Sequence, residues 1–365
     1  MRTAVAVDVR NEAALSFLVA WHGQPIGQIS HDGFEWRWQP QDGFDLPLVQ
    51  QRVPGRLPPC ILSLLPEGWL EKVLKDKDER AVLRSGKRYM SNITISEDAT
   101  ELASLPVDML SVSLSRYARD GLFTGNYAGP GRGKLEADFE AGLARLYERA
   151  DTPRLSGVQI KAPMYLAQDG QLSPSAGLPF THILKPAGTS GFQALPVIEY
   201  LAMTLGRASG LEAPDIALVA MPDDMPPALL VERFDIRTSP EDERRFALED
   251  LCSVLDLPPD AKYDGTIERI TRAVRPLSTS AGEDLQLVIK RALFAWLIGD
   301  GDMHLKNLAL LKIADPVADR FSTIRLAPLY DAVTTRVFPS LENDRMALKL
   351  NGKDDRLRRR DFMQV

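Results

Sequence analysis

The sequence predicts an α+β protein in which β-rich segments come first and helical segments dominate the second half. Short strands separated by turns fill roughly the first 40 residues. A second group of strands flanks one amphipathic helix, and beyond residue 237 the apolar spacing is mostly helical. These patterns divide the chain into a small N-terminal domain, a linker with a helix, a second β-rich region and a helical region, at residues 1–125, 126–150, 151–236 and 237–365.

The composition excludes several classes of protein. Hydrophobic residues make up 44% and charged residues 26% of the 365 residues, which allows a sizeable core without covalent staples. The net charge of −6 argues against a general electrostatic attraction to nucleic acid. Cys60 and Cys252 are the two cysteines and lie far apart, so neither a disulfide framework nor a cysteine-based zinc site is expected. The first residues lack the pattern of a secretion signal, and no run approaches the ~20 apolar residues of a membrane span, so we expect a cytoplasmic protein.

In the N-terminal domain we predict strands at 14–21, 26–29 and 34–38, with turns at His22-Gly23 and Asp32-Gly33. Residues 57–83 read as a loop and then a helix that is interrupted at Pro66-Glu67-Gly68. The glycine-rich segment 126–134 is predicted to be a linker, since it lacks the spacing of a phosphate loop, and an amphipathic helix follows at 135–149.

The second β-rich region is predicted from four apolar runs. Strands are expected at 157–166, 181–185, 216–219 and 228–234, with a helix at 195–207 and a further buried helix at 285–298. The predicted buried face of the first helix consists of Leu195, Ile198, Leu201, Ala202 and Leu205.

The densest group of polar residues lies in the segment LIGDGDMHLKNLAL at 297–310. Asp302 and Asn307 are five positions apart, which is the D-x-x-x-x-N spacing of a protein-kinase catalytic loop. In that loop the Asp orients or deprotonates the acceptor hydroxyl and the Asn holds Mg²⁺. A predicted hairpin then leads to Asp331, an anionic oxygen ligand suited to a second Mg²⁺ contact. Helix capping alone accounts for one Asp and one Asn but not for the carboxylate at the end of the hairpin.

A nucleotide site is predicted upstream of that loop. Lys185, at the end of a strand, is expected to neutralise the phosphates of ATP, with Glu199 as its orienting carboxylate. The alternatives are an exposed strand-end lysine and a glutamate favoured by the helix dipole. The backbone near Glu232 and Phe234 is predicted to meet the adenine, with a core phenylalanine as the alternative.

Three further groups complete the predicted ATP-binding set. The loop with Ser156, Gly157 and Val158 precedes the first strand, where a phosphate-covering loop belongs, although it has one glycine instead of the three of G-x-G-x-x-G. His304 is expected to support the backbone of the loop and not to act as a general base. Lys306 is expected either to contact the transferred phosphoryl group or to face solvent.

The chain resembles the HipA-like serine/threonine kinases, the toxin components of bacterial type II toxin–antitoxin modules of the HipBA and HipBST types. The matching motifs are spread along nearly the whole chain and are LLPEGWL at 64–70, SGVQIK at 156–161, HILKP at 182–186, VERFD at 231–235, EDLC at 249–252, KY at 262–263, GDMHLKN at 301–307, PLYD at 328–331 and ALKLNGK at 347–353.

This resemblance implies a two-lobed protein-kinase-like fold with an extra N-terminal subdomain, use of ATP and Mg²⁺, and a protein substrate. In characterised relatives the substrate is an aminoacyl-tRNA synthetase. It also implies a HipB-like helix-turn-helix antitoxin as partner, with or without a separate small HipS-like subunit. DNA would then be reached only through the antitoxin, and no membrane is involved. The alternatives are a catalytically weak nucleotide-binding scaffold or co-repressor, and a small-molecule kinase.

Three departures from the family pattern stand out. Relatives often have a serine where this chain has Arg154, which leaves Ser156 as the local candidate for autophosphorylation. Leu248 replaces a frequent glutamine. Many relatives continue into a further helical segment beyond the position of Val365, so a reduced C-terminal subdomain is expected.

Overall fold

The computed structural model describes residues 15–41, 53–74, 78–130, 136–157, 159–188, 192–222, 224–318 and 320–364, which form a mixed α/β fold. The strands are β1 (Leu15–Trp21), β2 (Gln24–His31), β3 (Trp36–Pro40), β4 (Ile93–Ser96), β5 (Ala118–Arg119), β6 (Leu122–Phe123), β7 (Asn126–Tyr127), β8 (Ala162–Leu166), β9 (Gln171–Pro174), β10 (His182–Lys185), β11 (Ile216–Val219), β12 (Ala228–Glu232), β13 (Arg245–Asp250), β14 (Ala309–Ala314) and β15 (Thr323–Leu326). The helices are α1 (Pro59–Leu62), α2 (Gly68–Leu74), α3 (Glu79–Ser85), α4 (Ala99–Ser104), α5 (Glu136–Tyr147), α6 (Leu195–Ala208), α7 (Leu251–Val254), α8 (Ile267–Val274), α9 (Ala281–Ile298) and α10 (Arg359–Phe362).

The N-terminal sheet has the strand order β3-β2-β1-β4, and its first three strands confirm the predicted ones. Phe17, Val19 and Trp21 alternate along β1 and are fully buried, as a strand with one face in the core requires. The Trp21 indole donates a hydrogen bond of 3.0 Å to the carbonyl of Phe246 in β13. The N-terminal sheet is therefore packed directly against the C-terminal half of the chain.

The second sheet is large and has the order β5-β6-β11-β12-β10-β8-β9-β7. Its central strands β11, β12, β10 and β8 correspond to the four strands predicted between residues 157 and 234. Helix α6 packs against β11 and β12. Residues 118–127 also join this sheet, because β5 and β6 lie at one edge and β7 pairs with β9 at the other. The predicted linker at 126–134 therefore begins as a strand, and its residues 131–134 lie outside the described ranges.

Two predictions for this region are wrong. The strand expected at 157–166 begins only at Ala162, and Gly157, at the start of the predicted range, has a φ of +109°, which strand residues do not adopt. The predicted apolar face of α6 is also wrong, since Leu201 and Leu205 are 55% and 51% exposed. The helix is rotated so that Glu199 faces the sheet, together with buried Ala202, Met203 and Gly206.

The third sheet has the order β13-β14-β15. The β14–β15 hairpin was predicted, whereas β13 was not, because the region after residue 237 was expected to be mostly helical. The long α9 covers this sheet and packs on α8, as its apolar character predicts. In the part of the chain that the structure describes, none of the helices combines the length and the apolar character that crossing a bilayer needs.

Buried histidine makes the stability of this fold pH-dependent. His182 is fully buried in β10, and burial lowers the pKa of its imidazole to about 3. The unfolded chain takes up this proton near pH 6.5 and the folded chain does not, so stability falls as the pH drops below 6.5. We expect the loss of unfolding free energy between pH 7 and pH 5 to be about 2 kcal/mol smaller in His182→Gln than in wild type. Urea titrations at both pH values measure this, and equal losses would contradict it.

Candidate active site

The centre of the candidate site is the ammonium group of Lys185, at the end of β10. It hydrogen-bonds to a carboxylate oxygen of Glu199 on α6 and to one of Asp331, which follows β15. The side chains of Lys185 and Glu199 are only 2% and 4% exposed, whereas that of Asp331 is 28% exposed. The structure therefore brings together a strand lysine, a helix glutamate and the carboxylate at the end of a hairpin, with the last of the three facing an opening.

Local chain geometry explains why Asp331 reaches this position. The segment after β15 is held by hydrogen bonds from the Ala327 amide to the Ala309 carbonyl at 2.8 Å and from the Leu329 amide to the Glu212 carbonyl at 2.7 Å. Asp331 itself has a φ of +54°. A left-handed backbone is costly for a residue with a Cβ and persists where the surrounding structure enforces it, often at functional sites.

The two carboxylates stabilise the Lys185 cation but repel each other, and burial together with the charge of Asp331 raises the pKa of Glu199. Burial opposes the charge on Lys185, but the carboxylates of Asp331 and Glu199 outweigh this effect and raise the pKa of the lysine. Burial acts to raise the pKa of Asp331, yet Lys161 and Lys185 hold that pKa below its usual range. At neutral pH Asp331 is therefore an anion and Lys185 is a cation.

Lys161 is a member of the site that sequence reasoning did not single out. Its ammonium lies 3.4 Å from Oδ2 of Asp331 and 3.4 Å from the carbonyl of Ser156. Lys161 belongs to the SGVQIK motif but precedes β8, which starts at Ala162. The alternation of side chains along that strand therefore does not predict the orientation of Lys161. Lys161 links the glycine-containing loop to the candidate metal ligand Asp331.

The predicted catalytic loop adjoins Asp331, because Asn307 and Asp331 line the same cavity. Asn307 donates from Nδ2 to the Asp302 carbonyl at 2.8 Å, which leaves its amide oxygen as the atom suited to a metal. The Asp302 side chain is 47% exposed and accepts a hydrogen bond of 2.7 Å from the hydroxyl of Tyr263. The ring of Tyr263 packs edge-on against His304, with 5.1 Å between centroids. Tyr263 belongs to the KY motif, which does not predict a contact with Asp302. The structure alone reveals this contact.

His304 is buried beside the loop, but among the described residues its Nδ1 has no hydrogen-bond partner, so its predicted support of the loop backbone stays a prediction. Its imidazole is buried, and burial lowers its pKa to about 4 although Asp302 and Asp331 act in the opposite direction. A neutral imidazole at pH 7 is consistent with packing beneath the loop. Its Nε2 lies 3.9 Å from Oδ1 of Asp302.

The solvent-facing position predicted as one alternative for Lys306 is wrong. The residue is buried and does not face solvent, and its ammonium donates to the carbonyl of Ser63 at 2.6 Å. It also lies 3.0 Å from a carboxylate oxygen of Glu67 and 3.3 Å from one of Asp250. These partners occupy the ammonium, and a contact of Lys306 with a transferred phosphoryl group stays a prediction.

The remaining predicted residues have mixed outcomes. Ser156 and Gly157 lie beside Lys161, whereas Val158 lies outside the described residues. The amide of Glu232 donates to the Asp215 carbonyl at 2.9 Å, so that amide is committed within the fold. Phe234 is half-buried with its ring 6.0 Å from that of Tyr330, beside the segment that carries Asp331. Roles for these residues toward ATP stay predictions.

The donor chemistry of the site suits Mg²⁺. Asn307, Asp331 and Asp300 line one cavity, and burial raises the pKa of Asp300 to about 8, so this carboxyl is largely neutral at pH 7. The described residues contain no group of three or more His, Cys, Asp or Glu side chains that could bind a metal ion together. Mg²⁺ is commonly held by one or two protein oxygens, with phosphates and water as the other ligands. The pair Asn307 and Asp331 fits an ion of that kind.

Comparison with known proteins identifies relatives. The family profile described as HipA-like C-terminal domain matches residues 154–365. Two Sinorhizobium fredii proteins named as candidate kinases, Y4mE and Y4dM, are each 30% identical to the chain, over 228 and 301 residues respectively. These alignments cover 58% and 79% of this chain and 51% and 64% of the relatives, so the chain spans only about half to two thirds of their length.

A solved structure shares the fold. It is described as the Shewanella oneidensis MR-1 toxin–antitoxin system HipA, HipB and its operator DNA complex, and its matching chain has a TM-score of 0.66. The match covers 95% of this chain and 84% of that one at 18% sequence identity. At that identity the likeness concerns the fold alone.

Removing the central cation tests the energetics of this site. Lys185→Met leaves the carboxylates of Glu199 and Asp331 without their shared partner, so we expect a loss of about 3 kcal/mol or more in unfolding free energy. Adding Glu199→Met removes one unpaired carboxylate and is expected to restore part of the loss. The control Arg84→Met breaks a pair with Glu97 in which the two side chains are 55% and 52% exposed, and is expected to cost less than about 1 kcal/mol. Urea denaturation measures all three variants, and equal costs for Lys185→Met and Arg84→Met would refute the account.

Proposed function

The chain belongs to the HipA-like protein family, and we propose that it is an ATP- and Mg²⁺-dependent protein serine/threonine kinase. The observation that supports this most is the meeting of Lys185, Glu199 and Asp331 at one ammonium group. In protein kinases a strand lysine paired with a helix glutamate binds phosphates, and an aspartate at this position of the chain binds Mg²⁺.

The two-lobed arrangement belongs to the same proposal. The run β9-β8-β10-β12-β11, with α6 inserted between β10 and β11 in the chain, would form the upper lobe. The third sheet and helices α7 to α9 would form the lower lobe, with the catalytic loop at 302–307. The cleft between them would then be where Lys185 and Asp331 meet.

The chain's own residues divide the chemistry among them. Lys185 would bind the phosphates, while Asn307 and Asp331 would hold Mg²⁺. Bound there, the ion would neutralise the charge that develops on the transferred phosphoryl group. Asp302, whose Oδ1 is occupied by the Tyr263 hydroxyl, would use its other oxygen to orient the acceptor hydroxyl and to accept its proton.

The biological setting is part of the proposal. We propose that the kinase is the cytoplasmic toxin of a type II toxin–antitoxin module with a HipB-like helix-turn-helix antitoxin, because the fold matches the HipA chain of a complex with HipB and operator DNA. The net charge of −6 supports contact with DNA only through that partner. A translation-related protein such as an aminoacyl-tRNA synthetase is the proposed substrate, and Ser156 is the proposed site of autophosphorylation.

Substitution of the proposed catalytic residue tests the activity. Asp302→Asn is expected to abolish transfer of labelled phosphate from ATP to protein in a bacterial lysate and to relieve growth arrest on expression, because the amide cannot accept the proton. Stabilisation by ATP and Mg²⁺ in a thermal-shift assay should persist. Asp120→Asn is the control, since Asp120 is 91% exposed in the β5–β6 turn. Undiminished transfer by Asp302→Asn would refute the assignment, and wild-type binding without any labelled protein would favour a scaffold.

Tyr263→Phe tests how Asp302 is oriented. Loss of the 2.7 Å hydrogen bond frees the carboxylate to rotate, so we expect kcat to fall by about 10-fold while the KM for ATP stays the same. Tyr117→Phe is the control, because the hydroxyl of Tyr117 donates to the Gln168 carbonyl at 2.6 Å in the large sheet. Steady-state kinetics at saturating acceptor measure the effect, and an unchanged kcat would contradict the orienting role.

A further inference from the structure

The LLPEGWL motif in the N-terminal part has no role in the chemistry described so far. Its neighbour Ser63 and its member Glu67 both contact Lys306, the penultimate residue of the catalytic loop. The Lys306 ammonium lies 2.6 Å from the Ser63 carbonyl, 3.0 Å from the Ser63 hydroxyl and 3.0 Å from the Glu67 carboxylate. Two segments more than 230 residues apart in sequence are therefore joined at one buried cation.

The same lysine is tied to the candidate active site through its backbone. Its carbonyl accepts a hydrogen bond of 2.9 Å from the hydroxyl of Tyr330, the residue before Asp331. The next residue is Asn307, whose amide group is bonded to the Asp302 carbonyl. Lys306 thus directly precedes Asn307, one proposed metal ligand. It is also hydrogen-bonded to Tyr330, which directly precedes the other proposed ligand, Asp331.

The contacts of Lys306 are what a buried ammonium needs. Its side chain is 7% exposed, and those of Glu67 and Asp250 are 18% and 15% exposed. Asp250 is also engaged elsewhere, because its Oδ1 caps α7 by accepting from the Ser253 amide at 3.0 Å and its Oδ2 accepts from the Ser63 hydroxyl. Glu67 is therefore the carboxylate that the N-terminal part contributes to this cation, and its removal leaves the lysine with a shared counter-ion.

We propose that Glu67 and Lys306 are positioning residues, through which the segment 63–67 of the N-terminal part holds the catalytic loop in its working geometry. Neither residue touches the reacting groups in this arrangement. The effect on phosphoryl transfer rests on the proposed kinase function, whereas the effect on the loop itself does not. Displacement of the segment 63–67 would loosen the loop and slow transfer.

Amide hydrogen exchange of the full-length chain tests the effect on the loop. In Glu67→Gln we expect the amides of residues 302–307 to exchange roughly 10-fold faster than in wild type. Glu79→Gln is the matched control, because Glu79 is a half-buried carboxylate of the N-terminal part that accepts from the Trp36 indole at 2.7 Å and does not belong to the Lys306 cluster. Global stability, followed by thermal unfolding, separates local loosening from general destabilisation.

Kinetics give the second readout. Glu67→Gln is expected to lower kcat by roughly 10-fold with the KM for ATP unchanged, and Glu67→Asp, which keeps the charge, is expected to recover part of the rate. Unchanged exchange of residues 302–307 in Glu67→Gln, or equal acceleration in Glu79→Gln, would overturn the inference. Faster exchange in Glu67→Gln, together with a wild-type chain that transfers no phosphate, would instead refute the proposed function and leave the inference standing.

Discussion

The burial of the Lys185 ammonium is the constraint on which the rest of the site depends. A cation that is 2% exposed needs anionic partners, and it finds them in Glu199 and Asp331. To supply Glu199, α6 turns a carboxylate toward the sheet and leaves Leu201 and Leu205 at the surface. To supply Asp331, the chain after β15 adopts a left-handed backbone at that residue. One charge interaction thus joins the large sheet, its helix and the C-terminal hairpin.

The N-terminal part is joined to this frame by polar contacts as well as by its core. Asp108 accepts from Arg88 at 2.7 Å and from Arg233 at 2.8 Å, and so links the segment before β4 to the end of β12. Arg154 is fully buried and donates to the Tyr147 and Ser85 carbonyls, both at 2.8 Å. Arg154 is therefore an anchor in the interior, and this position presents no hydroxyl for modification.

Local patterns in the sequence predicted three of the four strands of the N-terminal sheet, the extent of α6 and the β14–β15 hairpin, because alternation and helical spacing are visible in consecutive residues. The kinase pattern of a strand lysine oriented by a helical glutamate also predicted the contact of Lys185 with Glu199. The orientation of α6 was not predictable from its apolar residues, since a single buried carboxylate decides it. Lys161, Tyr263 and Glu67 were missed as members of the site or its support, because each acts through a tertiary contact that sequence periodicity does not encode. The solvent-facing alternative for Lys306 was wrong for the same reason.

The most direct test of the central claim is a crystal structure of the chain with a non-hydrolysable ATP analogue and Mg²⁺. The account predicts a metal ion bound by oxygens of Asn307 and Asp331 at about 2.1 Å, with Lys185 still paired with Glu199 and in contact with the phosphates. A nucleotide bound away from Lys185, or a phosphate-bound metal that Asp331 does not contact, would contradict it.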